Sequence, residues 1–145
     1  MSKASKVPNY LVSALTNKCP RCREGYLFKT TNAYDFKNVV EMNEKCPVCG
    51  QRTEIEVGFY YGTSYVSYAL GVAFVVSVFV AWYVLIGFSI DDNRLFWCMG
   101  TAIAGLVILQ PILMRLSRSL WLSWFVKYDA NWKNHKVEEP ERLIQ

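Results

Sequence analysis

Between Val57 and Ile90 the chain has no Asp, Glu, Lys or Arg, and between Leu95 and Met114 it again has none. Helices buried in a soluble bundle normally keep a polar face, so two such runs speak against a single globular domain and for membrane spans. Histidine is scarcer still: His135 is the only one, and it sits in a polar terminal stretch. Histidine-based activation of a nucleophile therefore has no evident partners, and there is no haem-ligating histidine pair. No other catalytic constellation stands out, and a non-enzymatic protein is expected.

The first run, taken from Tyr65 to Phe88, would be about 36 Å long as a helix, and Leu95 to Met114 about 30 Å, against a hydrocarbon core of about 30 Å. The short connector Ser89 to Arg94 imposes an antiparallel hairpin. Asp91 and Asp92 in it read more simply as solvated turn residues than as a cation site. The first twenty residues carry Lys3 and Lys6 but no sustained apolar core, so no cleavable signal is expected. Lys45 and Arg52 precede the first run, and Arg115, Arg118 and Lys127 follow the second. The positive-inside rule then places both termini in the cytoplasm, with the two runs facing membrane lipid. The net charge of +4 needs no nucleic acid to explain it.

Small residues recur through the first run at Ala69, Ala73, Ser77 and Ala81, and the second offers Gly100 with Ala104 and Thr101 with Gly105. Small faces let helices approach closely, so the simplest expectation is that these stripes pack on each other, with homodimerisation through the same stripe as the competing one. Tyr60, Tyr61, Tyr65 and Tyr68 form an aromatic cluster suited to the headgroup level. Pro111 removes a helical hydrogen bond near Val107 and predicts a kink. The basic, Trp-rich segment beyond it either lies along the interface or extends the span.

Five cysteines are present, four of them in two pairs: Cys19-Pro20-Arg21-Cys22 and Cys46-Pro47-Val48-Cys49. A Cys-x-x-Cys turn presents two thiolates to one ion, and two turns complete a tetrahedron. Cys19, Cys22, Cys46 and Cys49 are thus candidate ligands of a structural zinc, with iron in a rubredoxin-like site using the same set. A redox dithiol normally needs one such motif inside a βαβ unit, and nothing near Cys19 suggests that unit. Gly25 and Gly50 near the turns would permit positive φ. Alternating β-branched and aromatic residues between the pairs predict short antiparallel strands. Cys98 reads as a small apolar residue facing lipid or a helix.

The fold class expected is a small β zinc ribbon followed by an α-helical two-span transmembrane hairpin. Residues 1–18 form a leader with a short helix around Tyr10 to Leu15, and 19–56 the zinc-ribbon-like domain. Residues 57–128 form the hairpin with a C-terminal interfacial helix, and 129–145 a polar tail.

Three stretches, Asn17-Lys18-Cys19-Pro20-Arg21-Cys22-Arg23-Glu24-Gly25, Cys46-Pro47-Val48-Cys49-Gly50 and Gly62-Thr63-Ser64-Tyr65-Val66-Ser67-Tyr68-Ala69-Leu70, together resemble the domain of unknown function 983 family of bacterial membrane proteins, over about residues 10 to 130. The resemblance implies no activity. It implies an association between genes, since some members look to be encoded near those for cytochrome oxidase and its assembly factors. The reading that follows is an inner-membrane accessory or assembly subunit of a larger, for instance respiratory, complex. Two alternatives stand beside it: a metal- or thiol-handling membrane protein, and a membrane-tethered ribbon that binds nucleic acid through Lys18, Arg21, Arg23, Lys29 and Lys37, the last diluted by neighbouring acids.

Overall fold

In the computed structural model, which describes residues 9–87 and 92–137, the longest element is a single helix that outreaches a bilayer. The elements in order are α1 (Tyr10–Leu15), a 3-10 turn (Phe59–Gly62), α2 (Thr63–Leu85) and α3 (Arg94–Phe125). Their lengths follow from composition. α2 has no charge to interrupt it, and Pro111 lies inside α3 without ending it. At about 1.5 Å per residue α2 is about 34 Å long and α3 about 48 Å, so α3 overhangs an apolar core of about 30 Å by several turns. Both helices are long and apolar enough to cross a membrane. Within the apolar runs Ser77 donates to the Ala73 carbonyl and Thr101 to that of Trp97, so these two hydroxyls are satisfied inside their own helices.

α2 and α3 pack as an antiparallel pair. Gly62 lies beside Trp121, Gly71 beside Leu106 and Phe74 against Gly105, one number falling as the other rises. The face of α2 turned inward carries Val66, Leu70, Phe74 and Val78, whereas Ala69, Ala73, Ser77 and Ala81 are exposed. The small stripe of α2 is therefore not the hairpin seam. On α3 the small side that is buried is Cys98, Ala102 and Gly105, with Gly100, Thr101 and Ala104 outward. Large residues of α2 set into small ones of α3 bury more apolar surface than two small faces could, which explains why the expected pairing of stripes gives way. Cys98, fully buried, belongs to this seam.

No strand is found among the described residues. In the cysteine module the backbone makes isolated antiparallel bridges: Lys18 with Tyr26 around the first pair, Phe28 with Met42 between the pairs, and Lys45 with Arg52 around the second. The β ribbon is thus reduced to pairs of turns held by single bridges. Short segments with a core this small cannot sustain ladders on their own.

The turns rest on the overhang of α3. Pro111, Arg115, Ser119 and Leu122 form one buried stripe of that helix, and Val126 continues it. Leu122 and Val126 join Cys19, Cys22, Leu27, Phe28 and Cys46 in one buried cluster, against which Ile55, Phe59 and Trp132 also pack. Packing therefore continues across position 57, and the segment after Met114 extends α3 as a scaffold instead of lying apart from it. The α1 helix appears where the sequence predicts it, with Ser13 and Ala14 buried and the Tyr10 hydroxyl 2.8 Å from Ser123 Oγ. At the other end Asp92 pairs with Arg94; Asp91, like the leader before Asn9 and the tail beyond Val137, lies outside the described residues.

Trp121 fixes how the hairpin meets the cysteine module. Its indole N–H donates to the Phe59 carbonyl at 2.9 Å, and its ring lies so close to Gly62 that a Cβ there would overlap it. Gly62→Val should force the indole away and break that hydrogen bond, at a cost of about 2–3 kcal/mol. A lowered unfolding midpoint together with altered tryptophan emission would show it; an unchanged midpoint would mean that the contact is slack.

Candidate metal centre

Each cysteine pair sits on a turn built the same way. In the first, the Arg23 amide donates to the Cys19 carbonyl at 2.8 Å and the Cys19 amide to the Gly25 carbonyl at 2.8 Å. In the second, the Gly50 amide donates to the Cys46 carbonyl at 2.9 Å and the Cys46 amide to the Gln51 carbonyl at 2.8 Å. The residue after each second cysteine is left-handed: Gly50 at φ 73° and Arg23 at φ 58°. Gly50 takes that conformation freely. Arg23 does so at a steric cost, and its guanidinium stacks 4.1 Å from the centroid of Tyr128.

The turns face each other so that the four Sγ atoms lie within 4.8 Å of one another. Cys19 Sγ is 3.7 Å from Cys49 Sγ and Cys22 Sγ 3.8 Å from Cys46 Sγ, and none is in a disulfide. A tetrahedron with metal–sulfur bonds of about 2.3 Å has sulfur–sulfur edges of about 3.8 Å. The cluster therefore has the dimensions of a four-thiolate site for one metal ion. Iron and zinc share these dimensions, so the geometry selects the ligand number and not the metal.

Electrostatics agree with a cation at the centre. Hydrogen bonding from Cys19 pushes the Cys22 thiol far below its ordinary range and draws Cys46 down to about 6. Cys19 is pushed up by its bonds to Cys22, Cys46 and Cys49 and by burial, and Cys49 is raised by Cys22 and Cys46 against the opposing effect of Cys19. Four packed sulfurs can share only part of the negative charge among themselves; a divalent cation lets all four ionise.

Gly25 has a role other than the backbone freedom expected of it, since its φ is not positive. A Cβ on it would collide with Cys46 Sγ and crowd Val48. Gly25→Ala should thus displace one ligand and weaken metal retention by at least tenfold, since every 1.4 kcal/mol of strain is a factor of ten. Competition with a chromophoric chelator measures it, and unchanged retention would show that the turn relaxes without strain.

Arg21, Lys29 and Lys18, near the turns, are engaged within the chain. Arg21 is buried, donates to the carbonyls of His135 and Lys136 and pairs with Asp129 at 3.6 Å. Lys29 pairs with Glu41, and Lys18 lies over Tyr26. Asp129 also accepts from His135, which ties the only histidine of the chain to this anchor and not to the metal cluster. Burial would raise the Asp129 pKa, but the hydrogen bonds from His135 and the Asn131 amide, with the Arg21 charge, outweigh it and hold the carboxyl below its ordinary value.

A family model described as Protein of unknown function (DUF983) matches residues 36–124, more than half of the chain. The chain belongs to the DUF983 family. No curated protein and no solved structure matches it. In this DUF983 protein the matched region holds Cys46, Cys49, α2 and nearly all of α3, while Cys19 and Cys22 precede it. Arg115 and Arg118 of α3, which charge counting alone assigns to orientation, join that helix to the loop between the cysteine pairs. Arg115 is 2% exposed and donates three hydrogen bonds, to the Val39 carbonyl and to the carbonyl and hydroxyl of Thr30. Arg118 donates to the Val40 carbonyl and lies over Tyr60.

Proposed function

We propose that this DUF983 protein is a non-enzymatic accessory or assembly subunit of a larger complex in a bacterial inner membrane. In this reading Cys19, Cys22, Cys46 and Cys49 hold a structural zinc on the cytoplasmic side. The observation that carries the reading is the union of a closed four-thiolate cluster with the overhang of α3 through one buried core. Four protein ligands leave no coordination position for substrate, so the ion would supply rigidity and not chemistry. Lys45, Arg52, Arg115, Arg118 and Lys127 cluster at the same end of the hairpin, which supports a cytoplasmic module.

The outward stripe Ala69, Ala73, Ser77 and Ala81 supports association with a further helix, because hairpin packing leaves it open. A respiratory complex is the partner class we favour, on the family resemblance alone. The nucleic-acid reading loses support because Arg21, Lys18 and Lys29 are occupied within the chain. Free metal exchange loses it because three of the four cysteines are buried. Affinity purification from native membranes in mild detergent, with mass spectrometry and elemental analysis of the same sample, tests the proposal. A stoichiometric membrane partner and a tightly held zinc are expected; a chain that purifies alone with exchangeable metal would overturn it.

A further inference from the structure

Two cavities meet at Val40. One, of about 920 Å³, lies beside the aromatic belt between the module and the start of the 3-10 turn, and its charged walls are Glu41, Glu44, Glu54, Arg52 and Arg118. The other, of about 560 Å³, runs along α3 past Val107, Pro111 and Met114 beneath Phe36 and is almost wholly apolar. Both volumes fall within the range of about 300–1,000 Å³ typical of small-molecule sites. The polarity changes in the direction in which a bilayer changes, from the charged end of α3 towards the middle of its apolar run.

We infer that this pair of cavities is a binding site for one zwitterionic phospholipid, with its ammonium-bearing headgroup in the charged cavity and an acyl chain in the apolar groove. The choice of headgroup follows from charge. Lys29 neutralises Glu41 and Arg118 lies within electrostatic reach of Glu54, while Glu44 and Arg52 add one further charge of each sign to the lining. Three carboxylates and two guanidiniums lining one cavity offer partners to an ammonium and a phosphate together. The lining has no surplus of positive charge, so a headgroup with a net negative charge fits it less well than a zwitterion. The groove adds what a soluble zwitterion would lack. Phe36 is 81% exposed and Val107 70%, on walls that water would not cover favourably.

Tyr34 holds the loop that roofs the groove. Its hydroxyl donates at 3.1 Å to the Ile108 carbonyl, one residue past the Val107 carbonyl that Pro111 deprives of its usual helical donor. Arg115 and Arg118 bind the other end of the same loop through Thr30, Val39 and Val40. Proline and the two arginines thereby keep the groove open instead of letting the loop collapse onto α3.

The inference rests on the reading of α2 and α3 as membrane spans. Native mass spectrometry of the full-length protein, released from detergent in an equimolar mixture of dioleoyl phosphatidylethanolamine and dioleoyl phosphatidylglycerol, tests it. One retained phosphatidylethanolamine per chain is expected, favoured about tenfold over phosphatidylglycerol, as for one charge-assisted contact. Glu54→Gln should reduce that preference, and Val107→Trp should abolish retention of either lipid. Equal retention of the two lipids, a preference for phosphatidylglycerol, or equal binding of glycerophosphoethanolamine, which has no chains, would overturn the proposal. Alkaline extraction of membranes separates the two failures: a protein that resists extraction but shows no lipid preference refutes the lipid site alone, and one that is extracted refutes the spans as well.

Discussion

Cys19→Ser is expected to strip the metal from the protein and to unfold the cysteine module together with the end of α3. A structural zinc contributes on the order of 10–16 kcal/mol to folding in small domains, and segments without strands have little else to replace it. The consequence spreads because Leu122 and Val126 share the buried cluster with Cys19, Cys22 and Cys46. Limited proteolysis in membranes should therefore open new sites within residues 19–56 and beyond Met114, while α2 and the first turns of α3 stay protected. Elemental analysis should fall from a full complement to near zero. Protection of the α3 end in the metal-free variant would show that the helix does not depend on the module.

Acid should reach the same state by another path, since the ion leaves only as thiolates take up protons. The Cys46 thiol is lowered in the folded chain, so the stability it contributes is complete above the ordinary thiol value of 9.0 and is lost as the pH falls through about 6. Metal release should accordingly steepen on the acid side, read from a chelator titration against pH. Release that steepened only as the pH rose would contradict this sign.

Arg115→Met should detach the loop from α3 while leaving the metal in place. The guanidinium makes three hydrogen bonds to Thr30 and Val39 and stacks 4.9 Å from the Phe28 centroid. Met keeps the length of the side chain but orphans the two carbonyls, a loss of about 3 kcal/mol or more. Lys at this position keeps the charge but cannot serve both residues with a planar fork, so Arg115→Lys should recover only part of the loss. Denaturant unfolding followed through the tryptophans gives the magnitude. Exchange of amides at 30–40 locates it, and unchanged exchange there would place the stabilising contact elsewhere.

The cysteine quartet was readable from spacing because two thiols three positions apart can chelate one ion within a single turn, whatever the rest of the chain does. The strands were not, although residues 26–40 carry the β-branched and aromatic residues that usually form them. Single bridges suffice there because Arg115 and Arg118 supply constraints that a ladder otherwise would, and a metal held by the four cysteines would add to them. Gly25 was visible as a glycine near a turn, but its reason, the proximity of Cys46 Sγ from a turn twenty residues away, was not. Likewise Arg23, with no glycine signal, occupies the left-handed position that Gly50 occupies in the other turn.

The number of possible spans, the candidate metal-ligand set and the family are consequences of local pattern: unbroken loss of charge over twenty residues or more, and paired thiols on tight turns. These properties act through solvation and chelation within a few neighbouring residues, so no distant contact can reverse them. The seam of the hairpin is different. α2 is apolar on every side, and no face of it is marked in advance; Phe74 settling over Gly105 turns Ala69, Ala73, Ser77 and Ala81 outward. Long-range packing also turned Arg115 from a marker of membrane orientation into the joint between helix and metal module, because only the folded chain brings the Thr30 and Val39 carbonyls to one guanidinium.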